Sequence, residues 1–160
     1  MQGKKEIIRS ILLPLKQGSL LLPHSSMVEI IPERIIEPLE RAAEWVLGLI
    51  TWNNESIPLL ELETAFGIQS SVKPKRPRLV VIPSLTNDHG YKYLAIRTTG
   101  VPTMIQLTGD ELLENQGLAF NQKYVQFSGE LQGRSVIVSD ITKLEADLLL
   151  KVPHRLTEEA

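Results

Sequence analysis

Hydrophobic residues occupy most positions from Trp45 to Phe66, and a polar pair, Asn53-Asn54, divides this stretch into two apolar runs. Asn adopts a positive φ more readily than most residues, so two consecutive Asn residues favour a tight type I′ turn. The sequence therefore predicts a β-hairpin that turns at Asn53 and Asn54. Both tryptophans of the chain, Trp45 and Trp52, belong to this hairpin.

The two-residue turn also fixes which residues of the hairpin lie opposite each other. Ile50 is predicted opposite Ile57, and Gly48 opposite Leu59. The two faces of the ribbon then carry Val46, Ile50, Ile57 and Leu59 on one side, and Leu47, Leu49, Leu60 and Leu62 on the other. A hairpin with one solvated face alternates apolar and polar residues, and this one does not. We therefore expect one face to fill a β-barrel. The other should contact a second element, either as core alone or as core that borders a binding surface.

Structural roles in the hairpin are assigned to four of its residues: Trp45, Gly48, Trp52 and Pro58. Gly weakens a strand interior, so a Gly in the middle of a strand indicates that another part of the chain approaches closely. We therefore expect no room for a side chain at Gly48.

A second stretch, Tyr124 to Ile141, repeats the pattern of the first. The segments Trp52–Leu62 and Leu131–Ile141 align without a gap, and each has a two-residue turn, an apolar strand and an acid followed by an aliphatic residue. We interpret the repeat as two similar small β-barrels, each of about five short strands. Two hairpins that are similar by chance are the alternative.

The basic, Pro-containing stretch 69–78 is predicted to be a linker between the two barrels. We assign residues 1–68 to the first barrel and residues 79–160 to the second barrel with a C-terminal helix, within one domain. The basic side chains of the linker have two interpretations, a solvated connector or a patch for an acidic partner.

Two short helices are predicted between the strands. Gly67 favours the left-handed conformation that ends helices, so a short helix should end there. Thr108 and Glu111 have the spacing of a capping box, in which each side chain bonds the backbone amide of the other. The helix that begins at this capping box should end near Gly117.

A third helix is predicted at the C-terminal end of the second barrel. Thr142 and Glu145 repeat the capping-box spacing, and Pro153 cannot continue a helix. We therefore expect a helix from Thr142 to about Lys151.

The composition is that of a globular protein without cysteine chemistry. Hydrophobic residues make up 42% of the chain and charged residues 22%, which is too apolar for a disordered protein. The net charge of -2 provides no general attraction to nucleic acid or to an anionic membrane. The absence of Cys excludes disulfides, thiolate metal sites and a Cys nucleophile. Since no apolar stretch reaches the roughly 18 residues of a membrane helix, we expect a cytoplasmic protein without membrane insertion.

Residues with catalytic chemistry are few and scattered. The three histidines, His24, His89 and His154, have no metal-ligand spacing, and no nucleophile–base pair or phosphate-binding loop is present. The sequence therefore predicts a protein that is not an enzyme and that binds neither a metal nor a cofactor. The alternative is a small hydrolytic enzyme that uses His89 with Asp110 and Glu111, which would require these groups to converge in a deep polar pocket.

The first hairpin resembles the signature of CheW-like domains, the adaptors of bacterial chemosensory arrays. The family pattern is an aromatic residue with Val-x-Gly-Val-Ile, a turn, and then apolar-Pro-apolar-apolar-Asp-Leu. Residues 45–50 and 57–62 are similar to this pattern, and Leu20–Ile31 resembles the segment that precedes it. The resemblance covers about Ser10 to Leu149. It implies two five-stranded, SH3-like β-barrels packed side by side, in which the terminal segments can cross over.

The resemblance also implies two binding surfaces and their partners. A groove between the barrels would bind the cytoplasmic tip of a chemoreceptor through Ile11, His24, Met27, Glu29, Ile30 and Val101. The hairpin turn would face the regulatory domain of a histidine kinase through Asn53, Asn54 and Glu55. His24 replaces an apolar residue of the family and would either reshape or pH-tune the groove, or be a surface histidine.

The chain departs from the family pattern at positions that bear on kinase docking. The turn lacks the family's Arg, and its Gly is Asn54 here; Glu61 stands for the Asp, and Glu63 stands where an Arg often follows. In the second half Thr98 occupies a position that is usually acidic. These departures favour a divergent adaptor, such as those of type IV pilus and twitching-motility systems. A general β-barrel interaction subunit that has lost kinase binding is the alternative.

Overall fold

The computed structural model describes residues 6–71, 73–115, 117 and 121–150, and this part of the chain is mainly β. Its strands are β1 (Ile8–Pro14), β2 (Ser19–Pro23), β3 (Glu29–Ile31), β4 (Val46–Trp52), β5 (Glu55–Leu60), β6 (Arg78–Pro83), β7 (Tyr93–Thr98), β8 (Thr103–Leu107), β9 (Leu112–Glu114), β10 (Val125–Leu131) and β11 (Arg134–Ser139). Its helices are α1 (Leu62–Phe66), α2 (Ile141–Ala146) and single 3₁₀ turns at His24–Ser26 and Gly109–Glu111.

The strands form two sheets, and the pairing does not follow the predicted division at residues 69–78. The order of the six-stranded sheet is β8-β1-β2-β11-β10-β9, and that of the five-stranded sheet is β3-β6-β7-β5-β4. The N-terminal strands β1 and β2 therefore join the sheet of the second hairpin, while β6 and β7 join the sheet of the first. Each sheet combines strands from both halves of the chain, which is the crossover that the family resemblance allows.

Each sheet curls so that the strands at its two ends share a core. In the five-stranded sheet, Ile31 of β3 and Ile50 of β4 belong to one buried cluster. In the six-stranded sheet, Leu107 of β8 is buried in a cluster that also contacts Leu112 of β9. The two sheets are thus the predicted pair of small barrels.

A third and larger core lies between the barrels. It takes alternate residues from strands of both sheets: Ile11 and Leu13 of β1 belong to this shared core, whereas Leu12 packs inside the six-stranded barrel. In the same way Val80 belongs to the shared core and Val81 to the interior of the five-stranded barrel. Because both faces of these strands are buried, their sequences are continuous apolar runs, as is typical of doubly covered sheets.

The first hairpin has the predicted register. Ile50 pairs with Ile57 and Gly48 with Leu59. Asn53 has a φ of 53° and Asn54 a φ of 62°, as a type I′ turn requires. The second hairpin turns at 132–133 as predicted, again with both φ values positive.

A β-bulge between Val46 and Gly48 changes the predicted faces of this hairpin. Val46 packs against the shared core, and Leu47 packs against the interior of the five-stranded barrel, the reverse of the prediction. The physical reason is that a bulge inserts one extra residue and so exchanges the faces of the residues before it.

Gly48 is the point of close approach that its mid-strand position predicts. Its φ is 145°, and a Cβ atom placed there would lie 2.3 Å from the carbonyl oxygen of Glu37. The segment at Glu37 runs along the outer edge of β4, where Glu37 and Leu49 exchange two backbone hydrogen bonds of 2.8 Å. The absence of a side chain lets this segment cover the edge strand.

The first two predicted helices, one ending at Gly67 and one beginning at Thr108, have different outcomes. Gly67 ends α1 in the left-handed conformation, as predicted. Thr108 and Glu111 form the predicted capping box, but it caps a single 3₁₀ turn. The predicted helix to Gly117 is wrong, because β9 follows and its residues pair with β10.

The third predicted helix exists, but the capping box assigned to Thr142 and Glu145 is wrong. Asp140, not Thr142, caps α2, with its side chain accepting from the Lys143 amide. Glu145 turns away from the helix end and bonds the loop between β6 and β7. The predicted end near Lys151 and Pro153 lies outside the described residues.

Candidate functional site

The edge of the six-stranded sheet continues an apolar row that begins in the shared core. Ile11 pairs with Leu22 on one side and with Met104 on the other, so the three side chains lie on one face of the sheet. Ile11 is fully buried, whereas Met104, on the edge strand β8, is 58% exposed. The row therefore runs out of the core and ends at the surface.

The five-stranded sheet contributes a second apolar border. Met27 and Ile30 are half-buried and pack against the shared core that contains Ile11. The Val28 amide donates to the carbonyl of Val81 at 2.8 Å, which holds this segment against β6. Met27 and Ile30 thus border the shared core from one barrel, and the row from Ile11 to Met104 borders it from the other. We call these four residues together the junction groove.

A pocket of about 280 Å³ lies at one end of the junction groove. It is lined by Arg9, Ser10, His24, Met104, Ile105 and Gln106. The pocket therefore joins an apolar side chain, Met104, to three side chains that can donate hydrogen bonds, those of Arg9, His24 and Gln106.

Four of the six predicted groove residues belong to the junction groove or line the pocket at its end. Met27 and Ile30 border the shared core, and His24 lines the pocket. Ile11 is fully buried in the shared core, so no part of its side chain is open to a partner.

Glu29 and Val101 lie elsewhere. Glu29 lies on the opposite face of β3 from Ile30, where its Oε1 accepts a hydrogen bond of 3.2 Å from Trp52 Nε1. Val101 is 56% exposed and follows Thr99, whose amide donates to the Pro14 carbonyl at one end of β1. His24 lies near the other end of β1, because it follows Pro23, which pairs with Ser10. Ser10 and Pro14 are four residues apart, which is roughly 13 Å along the strand.

Met104 is the functional candidate that the sequence did not indicate. Its exposure in a short strand carries no signal by itself, because single exposed apolar residues are common. Only the pairing of β8 with β1 places it beside Ile11.

The predicted kinase-facing residues form the exposed tip of the first hairpin. Asn53, Asn54 and Glu55 are all exposed. Arg34 Nη1 donates to the Thr51 carbonyl at 3.3 Å, so the loop after β3 lies beside this tip. The next residue in that loop, Ile35, is 89% exposed. The tip therefore combines polar turn residues with an apolar side chain that nothing else in the described chain covers.

The groups of the alternative hydrolytic site are engaged separately. His89 Nε2 lies 2.7 Å from Oε1 of Glu145, and both side chains are buried. His89 Nδ1 accepts from the Tyr91 amide at 3.0 Å, which assigns the ring proton to Nε2. Asp110 and Glu111 instead bond Thr108 in their own turn. The described residues also hold no group of three His, Cys, Asp or Glu side chains suited to a metal ion.

The model of the CheW-like domain family matches residues 9–148. The chain belongs to the CheW-like domain family. It resembles the crystal structure of the scaffolding protein TtCheW from Thermoanaerobacter tengcongensis, with a TM-score of 0.67 and 17% sequence identity over 84% of this chain and 89% of that one. At this identity the likeness shows the fold. No curated protein sequence matches the chain. Wherever the structure describes this CheW-like chain, its helices are too short to span a bilayer.

Glu63 is a buried acidic residue of α1 that contacts the segment after β1. Its side chain is only 3% exposed, and Oε2 accepts from the Lys16 amide at 2.9 Å. Oε1 has no hydrogen-bond partner. Burial raises the pKa of the Glu63 carboxyl above its ordinary value, and hydrogen bonds from the Glu63 and Lys16 amides oppose that rise. The carboxyl is therefore part of the structure between the barrels and is closed to a partner.

Proposed function

We propose that this protein is a non-enzymatic adaptor that couples the cytoplasmic tip of a chemoreceptor to the regulatory domain of a histidine kinase. The observation that carries the proposal is the junction groove of a CheW-like fold. In it, half-buried Met27 and Ile30 border the shared core, and Met104 continues the row of buried Ile11 to the surface. Adaptor function needs two separate docking surfaces, and the exposed tip of the first hairpin supplies the second candidate.

The chemistry of the junction groove suits a helical partner. An amphipathic helix lays its apolar face into a groove of apolar side chains. Two of the three side chains at the surface are Met, whose unbranched and flexible chain adapts to the shape of a packed helix. A receptor tip is a helical hairpin and so presents such a face.

The kinase-facing surface is proposed to be the tip at Asn53, Asn54 and Glu55, together with Ile35 beside it. Aromatic and apolar anchors within a polar rim are typical of protein interfaces. Ile35 is 89% exposed, and the turn residues around it supply the polar groups.

We further propose that the kinase belongs to a chemosensory system of the type IV pilus class. The support for this is the divergence of the kinase-facing positions. The turn is Asn53-Asn54, without the Arg and the Gly that the family pattern has there. A surface with these changes is suited to a kinase partner that has diverged with it.

The proposal is tested by purifying the tagged protein from its native cells and identifying the proteins that bind it. We expect a chemoreceptor and a histidine kinase among them. Recovery of other proteins without either would favour a general interaction subunit, and recovery of a receptor alone would contradict kinase coupling.

A charge reversal at the hairpin tip then tests the kinase surface. Glu55→Lys should weaken binding of the isolated kinase regulatory domain at least tenfold and leave receptor binding unchanged. Arg134→Glu is the matched control, because Arg134 occupies the equivalent position after the turn of the second hairpin and is exposed. Equal effects of the two variants on kinase binding would contradict the assignment.

A further inference from the structure

One end of the junction groove is positively charged. Arg9 pairs with Gln106 and Ile11 pairs with Met104, and only the pair Ser10–Ile105 separates these two rungs of β1 and β8. Since residues two apart in a strand lie on the same face, Arg9 and Gln106 share the face of Ile11 and Met104. The apolar row therefore ends at a guanidinium and an amide.

His24 lies at the same end. It begins the 3₁₀ turn after Pro23, which pairs with Ser10, the residue next to Arg9. Arg9, His24 and Gln106 line the pocket of about 280 Å³ together with Met104. Three side chains that can donate hydrogen bonds thus line a space large enough for a side chain of a partner.

The lining of this pocket contains no carboxylate among the described residues, and three carboxylates of neighbouring segments have other surroundings. Glu29 bonds Trp52 on the other face of β3. Glu6 and Asp110 line a different pocket with Ile8, and Ile8 lies on the opposite face of β1 from Arg9. Within the described residues, no ion pair joins the Arg9 guanidinium to a carboxylate of the chain itself.

We infer that the junction groove selects a partner helix that carries an Asp or Glu three or four residues from the apolar side chain packed against Met104. Alternate residues of a strand are about 6.6 Å apart, and one turn of a helix rises about 5.4 Å. A carboxylate one turn from the apolar anchor therefore reaches Arg9, which can hold it through two parallel hydrogen bonds. His24 and Gln106 donate from the other sides. This inference rests on the proposed function and adds a rule for which receptor tips the protein accepts.

The test measures binding of a soluble helical hairpin that reproduces the tip of the co-purified receptor. The Arg9→Glu variant should bind this hairpin at least tenfold more weakly, because a like charge then faces the partner's carboxylate. Each acidic residue of the hairpin is also replaced singly by Lys. One of these Lys replacements should raise the affinity of the hairpin for Arg9→Glu at least tenfold and lower its affinity for the parent protein. The replaced residue should lie three or four residues from an apolar residue of the hairpin.

Controls separate the inference from the proposed function. Arg134→Glu removes the same charge from the exposed start of β11 and should change binding less than twofold. If Arg9→Glu binds the hairpin as well as the parent does, or if no Lys replacement restores binding, the inference is wrong while receptor binding stands. If the parent protein binds no version of the hairpin, the proposed function fails and the inference fails with it.

Discussion

Glu29 Oε1 accepts a hydrogen bond from Trp52 Nε1 at 3.2 Å, and this bond joins the two end strands of the five-stranded sheet. Trp52 is almost completely buried, and its ring packs edge-on against Tyr93 with centroids 5.0 Å apart. The bond therefore closes the barrel at a point where an indole N–H would otherwise lack a partner. It also explains why an acidic residue stands between the apolar residues of the groove-bordering segment.

The first prediction concerns this closure. Glu29→Ala should lower the free energy of unfolding by about 1–2 kcal/mol, because it leaves the indole N–H of Trp52 without an acceptor. Glu29→Gln keeps an acceptor oxygen and should change stability by less than about 0.5 kcal/mol. Chemical denaturation of the three proteins measures the differences. Equal stability of the Ala variant and the parent would show that water replaces Glu29 at no cost.

Gly48 gives the second prediction. An Ala side chain there would meet the Glu37 carbonyl at 2.3 Å and would require a φ of 145°. Gly48→Ala should therefore destabilise the fold by at least about 2 kcal/mol, through overpacking and backbone strain together. Gly109→Ala is the control, because nothing lies within 4 Å of its added methyl group. A thermal melt of Gly48→Ala equal to that of the control would contradict the close approach.

The sequence could predict the hairpin register because a two-residue turn at Asn53-Asn54 permits one pairing. It could not predict the bulge before Gly48, because that distortion accompanies a separate segment that bonds the edge of β4 at Glu37. The sequence also could not predict which strands share a sheet, for a similar reason. The apolar runs of β1 and β6 fit either barrel, and only long-range pairing decides between them.

The residues of the candidate site could likewise be predicted only where they depend on local sequence. Met27 and Ile30 could be identified from local sequence and family resemblance, because their segment is continuous. Met104 could not, since its place depends on the pairing of β8 with the N-terminal strand. Glu29 was assigned to the groove from the family resemblance, whereas the alternation of side chains along β3 places it on the face opposite Ile30.

The third prediction concerns Glu145, which joins α2 to the loop between β6 and β7. Its carboxylate accepts hydrogen bonds from the Leu85 amide, the Thr86 amide and hydroxyl, and His89 Nε2. Glu145→Ala should cost about 3 kcal/mol or more, because four donors that surround a buried carboxylate lose their acceptor. Thr142→Ala, on the exposed side of the same helix, should cost less than about 0.5 kcal/mol. Similar losses in both variants would contradict the role of Glu145.

The fourth prediction is a pH dependence at Glu63. Its pKa in the folded protein is raised from the ordinary value of 4.5, mainly by burial, so the folded state holds the proton more tightly than the unfolded state. The stabilising effect of the proton is fully present below pH 4.5 and is lost as the pH rises through the folded pKa.

Glu63→Gln places a neutral side chain at this position at every pH. Relative to the parent, the variant should therefore gain stability as the pH rises from about 4.5 toward neutrality. Melting temperatures from pH 4 to pH 8 measure the difference, with Glu114→Gln at an exposed carboxylate as the control. A difference that stays constant with pH, or that shrinks as the pH rises, would contradict the prediction.

Binding of the receptor-tip hairpin to Met104→Asp tests the central claim most directly. Met104 is 58% exposed, so the variant should unfold within about 1 kcal/mol of the parent. Its affinity should fall at least tenfold, because docking would press a carboxylate against the apolar side chain of the partner, and the same carboxylate would compete with the partner's acid for Arg9. Leu113→Asp is the matched control, since Leu113 is a 63% exposed apolar residue on β9 at the other end of the same sheet, and it should bind within twofold of the parent. A folded Met104→Asp that binds the hairpin as tightly as the parent would contradict the junction groove as the receptor site.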